Sequence, residues 1–420
     1  MKVKIKKITY KDLEKVKKYN HKKPVKQWWL FRILVRILSV IDLWKTKFKY
    51  ELIGMDKLPK EPCLVFANHS SFIDAKIMFK IFKNRSFNIV SAKDSFIGKR
   101  WLMRRLGCFP THKFINDVQL VKDIQYCLTK LKSDVIIFPE AGYSFDGTKT
   151  VLPESLGKMV KLMKVPVLSV NIKGAYSRDP LYNNLQIRKV KVSADVKMLM
   201  PKEDISKFTY NEINDLIINE FSFDAFKWQY ENNIKINEKF RADHINRILY
   251  KCPYCLTEGK MIGKGVEVYC EHCGKTHVLN ELGQLEGVGF DSKFSHIPDW
   301  CKWEREEVRN EIIENKYELK CDVDLYMIVN TLAFYKVGEG TLVHNGDGIT
   351  LDACDGNIKY HLPAKSSYTL NCDYFFYEIG DVISFGDMKT LYYCFPKNSK
   401  DVVCKARYAA EEMYKLYNNK

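Results

Sequence analysis

The sequence predicts an α/β fold: a mostly parallel sheet flanked by helices, joined to a small cysteine module and a β-rich C-terminal part. Short apolar runs alternate with helical repeats between residues 63 and 172, which is the pattern of crossover-linked parallel strands. Two Cys-x2-Cys pairs follow at 252–273. From 317 onward, strand-like stretches are separated by glycine turns. At 420 residues the chain is too long for one ordinary domain, and 46% hydrophobic with 28% charged residues is a globular composition.

The N-terminal region carries most of the basicity. The chain has a net charge of +17, of which residues 1–60 hold +13. A global basic coat for nucleic acid is therefore excluded, and a local basic arm over 1–46 is expected. Trp28–Trp44 follows as a hydrophobic stretch of 17 residues. As a helix it spans roughly 25 Å, short of the roughly 30 Å hydrocarbon core. Arg32, Arg36 and Ser39 recur as a narrow polar stripe, with Trp residues at both ends. We expect a helix lying in a membrane interface, its lysines meeting anionic headgroups, peripheral on the cytoplasmic face. The long polar lead and the two arginines argue against a secretory signal.

Residues 47–53 alternate like a half-exposed strand. Cys63–Ala67, Phe87–Ala92, Val135–Phe138 and Pro166–Ile172 read as buried strands. Helices are expected at 72–83, at 117–132 after the start signal Asn116-Asp117, and at 153–164 after Pro153. This domain spans 47–205. Residues 206–250 read as a helical connector anchored by Phe226, Trp228 and Tyr230, 251–290 as the cysteine module, and 300–420 as a β-rich module with a terminal helix over Val402–Tyr417. A short helix is expected at 302–315. Turns are expected at Gly338-Glu339-Gly340, Asn345-Gly346-Asp347-Gly348 and Asp355-Gly356-Asn357. Seven or so strands with a capping helix weakly resemble the pleckstrin-homology type of barrel.

Two segments carry chemistry. In Asn68-His69-Ser70-Ser71-Phe72-Ile73-Asp74, a histidine leaves a buried strand and a carboxylate follows five residues later at a helix start. Open α/β sheets place ligands at such strand ends. Imidazole titrates at about 6.5 in water and suits general-base work on a hydroxyl. Asp74 would fix its tautomer and stabilise the imidazolium. Phe138-Pro139-Glu140-Ala141-Gly142-Tyr143-Ser144 leaves a second apolar strand. There Glu140, Gly142, Tyr143 and Ser144 are candidate substrate-binding residues, with Gly142 allowing close approach of backbone to ligand.

Asn68-His69 to Asp74, Phe138-Pro139-Glu140, Val165-Pro166-Val167 and the upstream Gly54-Met55-Asp56-Lys57-Leu58-Pro59 together resemble the glycerolipid acyltransferase family, typified by 1-acylglycerol-3-phosphate acyltransferases, over about 47–200. The resemblance implies transfer of a fatty acyl group from a thioester or acyl phosphate to a hydroxyl of a lysophospholipid or similar acceptor. The carrier would be acyl carrier protein, coenzyme A or phosphate. His69 would be the base and Asp74 its partner, with no catalytic cofactor. Lys93 and Lys113 match positions that bind the acceptor phosphate. The chain departs from the family where specificity is set. Tyr143 stands where arginine is usual, and Lys113 offers charge without a planar fork.

Cys252, Cys255, Cys270 and Cys273 give C-x2-C-x14-C-x2-C, the spacing of a structural zinc ribbon. His272 and His277 read as knuckle and strand residues; His296, His344 and His361 read as structural or surface residues. Acidic flanks (Glu258, Glu267, Glu271) argue against nucleic acid as a partner. The alternative function is a catalytically silent membrane-surface adaptor that binds lipid or protein through the ribbon and the C-terminal module.

Overall fold

A computed structural model describes residues 3–115 and 117–418. Asn116, half of the expected helix-start signal, lies outside the described residues. The other half works as expected: Asp117 Oδ1 accepts from Leu120 N at 3.1 Å and caps the helix Val118–Thr129.

The first strand, β1 (Ile5–Lys7), leaves for the C-terminal sheet. The next seven, β2 (Lys49–Ile53), β3 (Leu64–Ala67), β4 (Phe87–Ala92), β5 (Cys108–Thr111), β6 (Asp134–Ile137), β7 (Val167–Lys173) and β8 (Ser193–Met200), form one sheet in the order β2-β8-β7-β3-β6-β4-β5. The five strands from β7 to β5 run parallel, while β8 is antiparallel to β7 and parallel to β2. The sheet is therefore mixed at one edge. Alternation along β3 divides two cores. Cys63, Val65 and Ala67 join Ile73 and Ile77 on one face. Leu64 and Phe66 meet the helices Val118–Thr129, Leu156–Met163 and Tyr210–Glu220 on the other.

The expected strands fall where the apolar runs put them. Two others in this sheet, β5 and β8, were not anticipated, nor was β1. Pro110 interrupts the strand pattern of β5, and an edge position tolerates it. In β8, buried and half-exposed residues alternate loosely, so its sequence reads as polar. In the connector, Phe226 is buried, but Tyr230 is 55% exposed and anchors nothing.

The first 46 residues are not one free arm. Strand β1 pairs with residues 334–336, Tyr19 N donates to Val329 O at 2.9 Å, and Gln27 Nε2 donates to Leu106 O at 3.0 Å. The segment thus straps the C-terminal module to the α/β domain; Met1 and Lys2 lie outside the described residues. In the helix Trp29–Lys45 the polar stripe faces inward. Arg32 and Arg36 donate to the carbonyls of Arg85 and Lys83 at 3.0 and 3.3 Å, Asp42 meets Lys76, and Ser39 is buried. Trp29, Leu34, Ile37, Leu38, Val40, Ile41 and Trp44 face out. This is the reverse of a soluble amphipathic helix. Among the described residues no helix is long and apolar enough to cross a membrane.

The cysteine module is a four-stranded antiparallel sheet, β12 (Leu285–Gly287), β11 (Thr276–Leu279), β10 (Glu267–Cys270) and β9 (Met261–Lys264) in that order. It packs tightly on residues 242–250: a Cβ at Gly263 would lie 2.3 Å from Ala242 O. The helix that follows is Ile297–Ile313, five residues earlier than expected, because Pro298 seats in its first turn.

The C-terminal meander comprises β13 (Glu318–Met327), β14 (Phe334–Asn345), β15 (Gly348–Ala353), β16 (Ile358–Pro363), β17 (Asn371–Phe376), β18 (Gly380–Gly386) and β19 (Leu391–Pro396), ordered β16-β15-β14-β13-β19-β18-β17. The helix Val402–Tyr417 packs on it, and its Arg305–Glu411 and Arg309–Glu412 pairs tie it to Ile297–Ile313. The β-rich reading holds, with one correction. Gly338-Glu339-Gly340 is no turn but lies inside β14, where the register shifts by one residue opposite Leu325/Tyr326. That bulge bends the strand without ending it. The other two glycine-rich segments connect β14 to β15 and β15 to β16.

Candidate functional site

Strands β3 and β6 lie side by side and parallel, so the segments leaving their carboxyl ends meet. Asp74 is fully buried in the first turn of the helix Ile73–Ile81. Its Oδ2 accepts from the backbone N–H of Ser70 at 2.8 Å and of Ser71 at 3.0 Å, and faces His69 Nδ1 at 3.0 Å. A carboxylate there fixes the proton on Nδ1 and leaves Nε2 as the basic nitrogen. The ring itself is held by stacking on Phe138, 4.2 Å between centroids, and by Tyr143 at 4.5 Å. Its side chain stays 23% exposed against 0% for Asp74, so the basic edge is reachable. An imidazole so oriented can take a proton from a hydroxyl brought to Nε2.

Glu140 does not face that opening. Oε1 accepts from His69 N at 3.0 Å and Oε2 from the Thr150 hydroxyl at 2.8 Å, so both oxygens are used internally. Burial pushes its carboxyl up to about 7. It is a brace that ties the two loops, with Ser144 N donating to His69 O at 3.1 Å as a second tie. Ser144 is buried, and its hydroxyl donates to Thr148 O at 2.9 Å. Gly142 is not where the backbone needs glycine; Ala141 holds the left-handed conformation, at φ 53°. A non-glycine residue there costs roughly 1–2 kcal/mol, a strain typical of functional loops. Gly142 faces open space.

The two lysines contact other parts of the protein. Lys93 is buried, its Nζ 3.2 Å from His112 Nε2 and under the Tyr19 ring of the N-terminal strap, and desolvation lowers its pKa. Lys113 reaches across to the C-terminal module, where its Nζ donates to Asn371 Oδ1 at 3.3 Å. Tyr143 is half-buried; its hydroxyl is pushed well above the usual range, first by burial and then by Asp74, Asp373 and Asp179.

Sequence reasoning missed several contributors. Asp179 accepts from the Ser71 hydroxyl and pairs with Arg178 at 3.0 Å, and burial raises its carboxyl to about 6. Asn68 clamps Ile172 of β7 through both its amide groups, at 2.7 and 2.9 Å. Asp373 and Asn371 come from β17, more than 200 residues downstream, and no local pattern announces them. The C-terminal module also bears on the second loop: Phe145 lies 4.7 Å from Tyr374 and 4.3 Å from the Arg407 guanidinium.

The four Sγ atoms of Cys252, Cys255, Cys270 and Cys273 lie within 4.8 Å of one another, and two cross pairs are 3.7 Å apart. A tetrahedral ion with metal–sulfur bonds of about 2.3 Å sets its sulfurs about 3.8 Å apart, so the cluster fits an ion such as zinc. All four corners are protein ligands, which is the arrangement of a structural site. His277 is buried among rings of Tyr254, Phe290 and Trp300, away from ligation.

Residues 49–173 match the family model described as Acyltransferase. Among solved structures the chain is similar to the crystal structure of the 1-acyl-sn-glycerophosphate (LPA) acyltransferase, PlsC, from Thermotoga maritima. Identity is 20% and the TM-score 0.35, over 45% of this chain and 79% of that one. No curated protein matches the chain.

Proposed function

We propose that the chain transfers a fatty acyl group from a thioester or acyl-phosphate donor to a lipid hydroxyl at a membrane surface. The observation that carries this reading is the His69–Asp74 pair, opening at the strand ends inside the segment that matches the acyltransferase family. In the thioester case His69 Nε2 takes the acceptor hydroxyl's proton as its oxygen bonds to the acyl carbon. The carbon–sulfur bond breaks, and the leaving thiolate takes the proton back from the imidazolium. Asp74 stabilises the imidazolium between these events. Coenzyme A or acyl carrier protein would supply the thioester.

The outward apolar face of Trp29–Lys45 and the basic residues around it support peripheral binding to anionic lipid on the cytoplasmic face. The cysteine cluster supports a structural zinc ribbon, and the meander with its packed helix supports a pleckstrin-homology-like module. The test is a donor-by-acceptor screen with purified protein, read by mass spectrometry of the lipid product. His69→Ala should lower turnover by about 10²–10⁴, the usual worth of a positioned base, while vesicle binding persists. An acylated product formed equally by both proteins would remove the reading.

A further inference from the structure

The loop that flanks His69 is held partly from outside its own domain. Two residues of this loop touch the histidine directly. Ser144 N donates to His69 O at 3.1 Å, and the Tyr143 ring lies 4.5 Å from the imidazole. Phe145 comes next in the chain. Its carbonyl is fixed within the α/β domain, where it accepts from the Tyr176 hydroxyl at 2.8 Å. Its buried ring turns to the C-terminal module: Tyr374 of β17 lies 4.7 Å away, and the Arg407 guanidinium of the helix Val402–Tyr417 lies 4.3 Å from the ring centre. A desolvated guanidinium is attracted to an aromatic face, and its planar shape packs there as a slab.

The groups that meet Phe145 are themselves held. Arg407 Nε donates to Glu411 Oε1 at 3.0 Å, and that carboxylate also accepts from the Thr369 hydroxyl at 2.7 Å and from Arg305 at 2.6 Å. The Tyr374 hydroxyl donates to Arg247 O at 2.7 Å. The ring of Phe145 is therefore set against fixed partners, and it follows directly on the two residues that contact His69.

We propose that the C-terminal module completes the acyl-transfer site: Arg407 and Tyr374 are positioning residues that act on His69 through Phe145, Ser144 and Tyr143. A base serves only a hydroxyl within its hydrogen-bond reach, and a misplacement of about 1 Å can cost about 10²-fold in rate. This assignment rests on the acyl-transfer reading.

The test uses the full-length protein with a long-chain acyl-coenzyme A and lysophosphatidate. Arg407→Gln and Phe145→Leu should each lower kcat at least five-fold and leave KM within three-fold. Because both break one contact, the double variant should lie within three-fold of the worse single one. Arg309→Gln breaks the pair with Glu412 on the same helix and should keep kcat within two-fold of the wild type. A smaller loss in either single variant overturns the proposal, and so do losses that multiply in the double variant. An equal loss in Arg309→Gln also overturns it, because general loosening of the module would then explain the effect. If Arg407→Gln does not fold, Arg407→Lys serves: it keeps a cation beside Glu411 without the planar face, and the same five-fold loss is expected.

A spectroscopic readout separates this brace from the chemistry. In protein carrying carbon-13 in its histidine rings, the His69 signal is identified by its loss in His69→Ala. It should move in Arg407→Gln and Phe145→Leu and stay in place in Arg309→Gln. That pattern, with no acylation by the wild type, removes acyl transfer and keeps the brace. A His69 signal unmoved in Arg407→Gln and Phe145→Leu overturns the brace whatever the turnover.

Discussion

At the residue scale, the unusual group is Glu140, a buried carboxyl that braces the loop carrying His69 and spends both oxygens inside the protein. Its folded-state pKa is raised from 4.5 to about 7 by burial. A raised carboxyl stabilises the fold fully below its unfolded pKa, and that contribution is lost as pH rises through the folded one. Between about pH 4.5 and 7 the site therefore loses up to about 3 kcal/mol, at 1.36 kcal/mol per unit. Glu140→Gln keeps an acceptor oxygen for His69 N and presents an amide N–H to the Thr150 hydroxyl, which can turn to accept it, without the charge. Its stability relative to wild type should improve between pH 5 and 8, and urea unfolding at the two pH values reads this directly. Parallel pH dependence in both proteins would contradict the assignment. The contact between His69 and Asp74 was legible in the sequence because a strand end and a helix start bracket the two residues. The inward turn of Glu140 was not, since the Thr150 hydroxyl and the His69 amide that hold it are set by how two loops meet.

At the scale of elements, legibility followed burial. Strands β3 and β6 are buried at every residue, and their apolar runs marked them clearly. Edge strand β5, with its proline, and half-exposed β8 did not stand out, and the bulge hid the continuity of β14. The helix Trp29–Lys45 was legible as amphipathic but not in its orientation, because only packing shows that Arg32 and Arg36 point to the protein. That orientation makes a prediction. Ile37, Leu38 and Ile41 are each more than 60% exposed and support nothing inside. Replacing all three with Gln should leave the melting temperature unchanged and lower partitioning into anionic vesicles at least ten-fold. Full burial of each such side chain is worth about 1.5–3 kcal/mol. Undiminished co-sedimentation would place the contact elsewhere.

At the scale of the whole molecule, three sheets are joined through the segment 242–313. Lys251 N donates to Glu304 at 2.8 Å and Trp300 Nε1 donates to Lys251 O at 3.0 Å, so the cysteine module's entry strand is keyed into the helix that carries the C-terminal meander. An ion held by the four thiolates would steady that joint. Elemental analysis should find about one zinc per chain, and removing it with a chelator should lower the melting temperature by about 5 °C or more, given how much of the folding energy such modules draw from metal. Retention of the full melting temperature by metal-free protein would limit the cluster to a minor role. None of these long-range joints has a sequence period, so the modules could be read from the chain while their assembly could not. Strand β1 has a further consequence, for synthesis. Ile5 leaves the ribosome well before its pairing partner Phe334, which is more than 300 residues later. At roughly 5–20 residues per second the first strand waits tens of seconds. The segment around β1 is thus made long before it can dock, and the newborn chain carries this basic stretch unpaired until the C-terminal sheet exists.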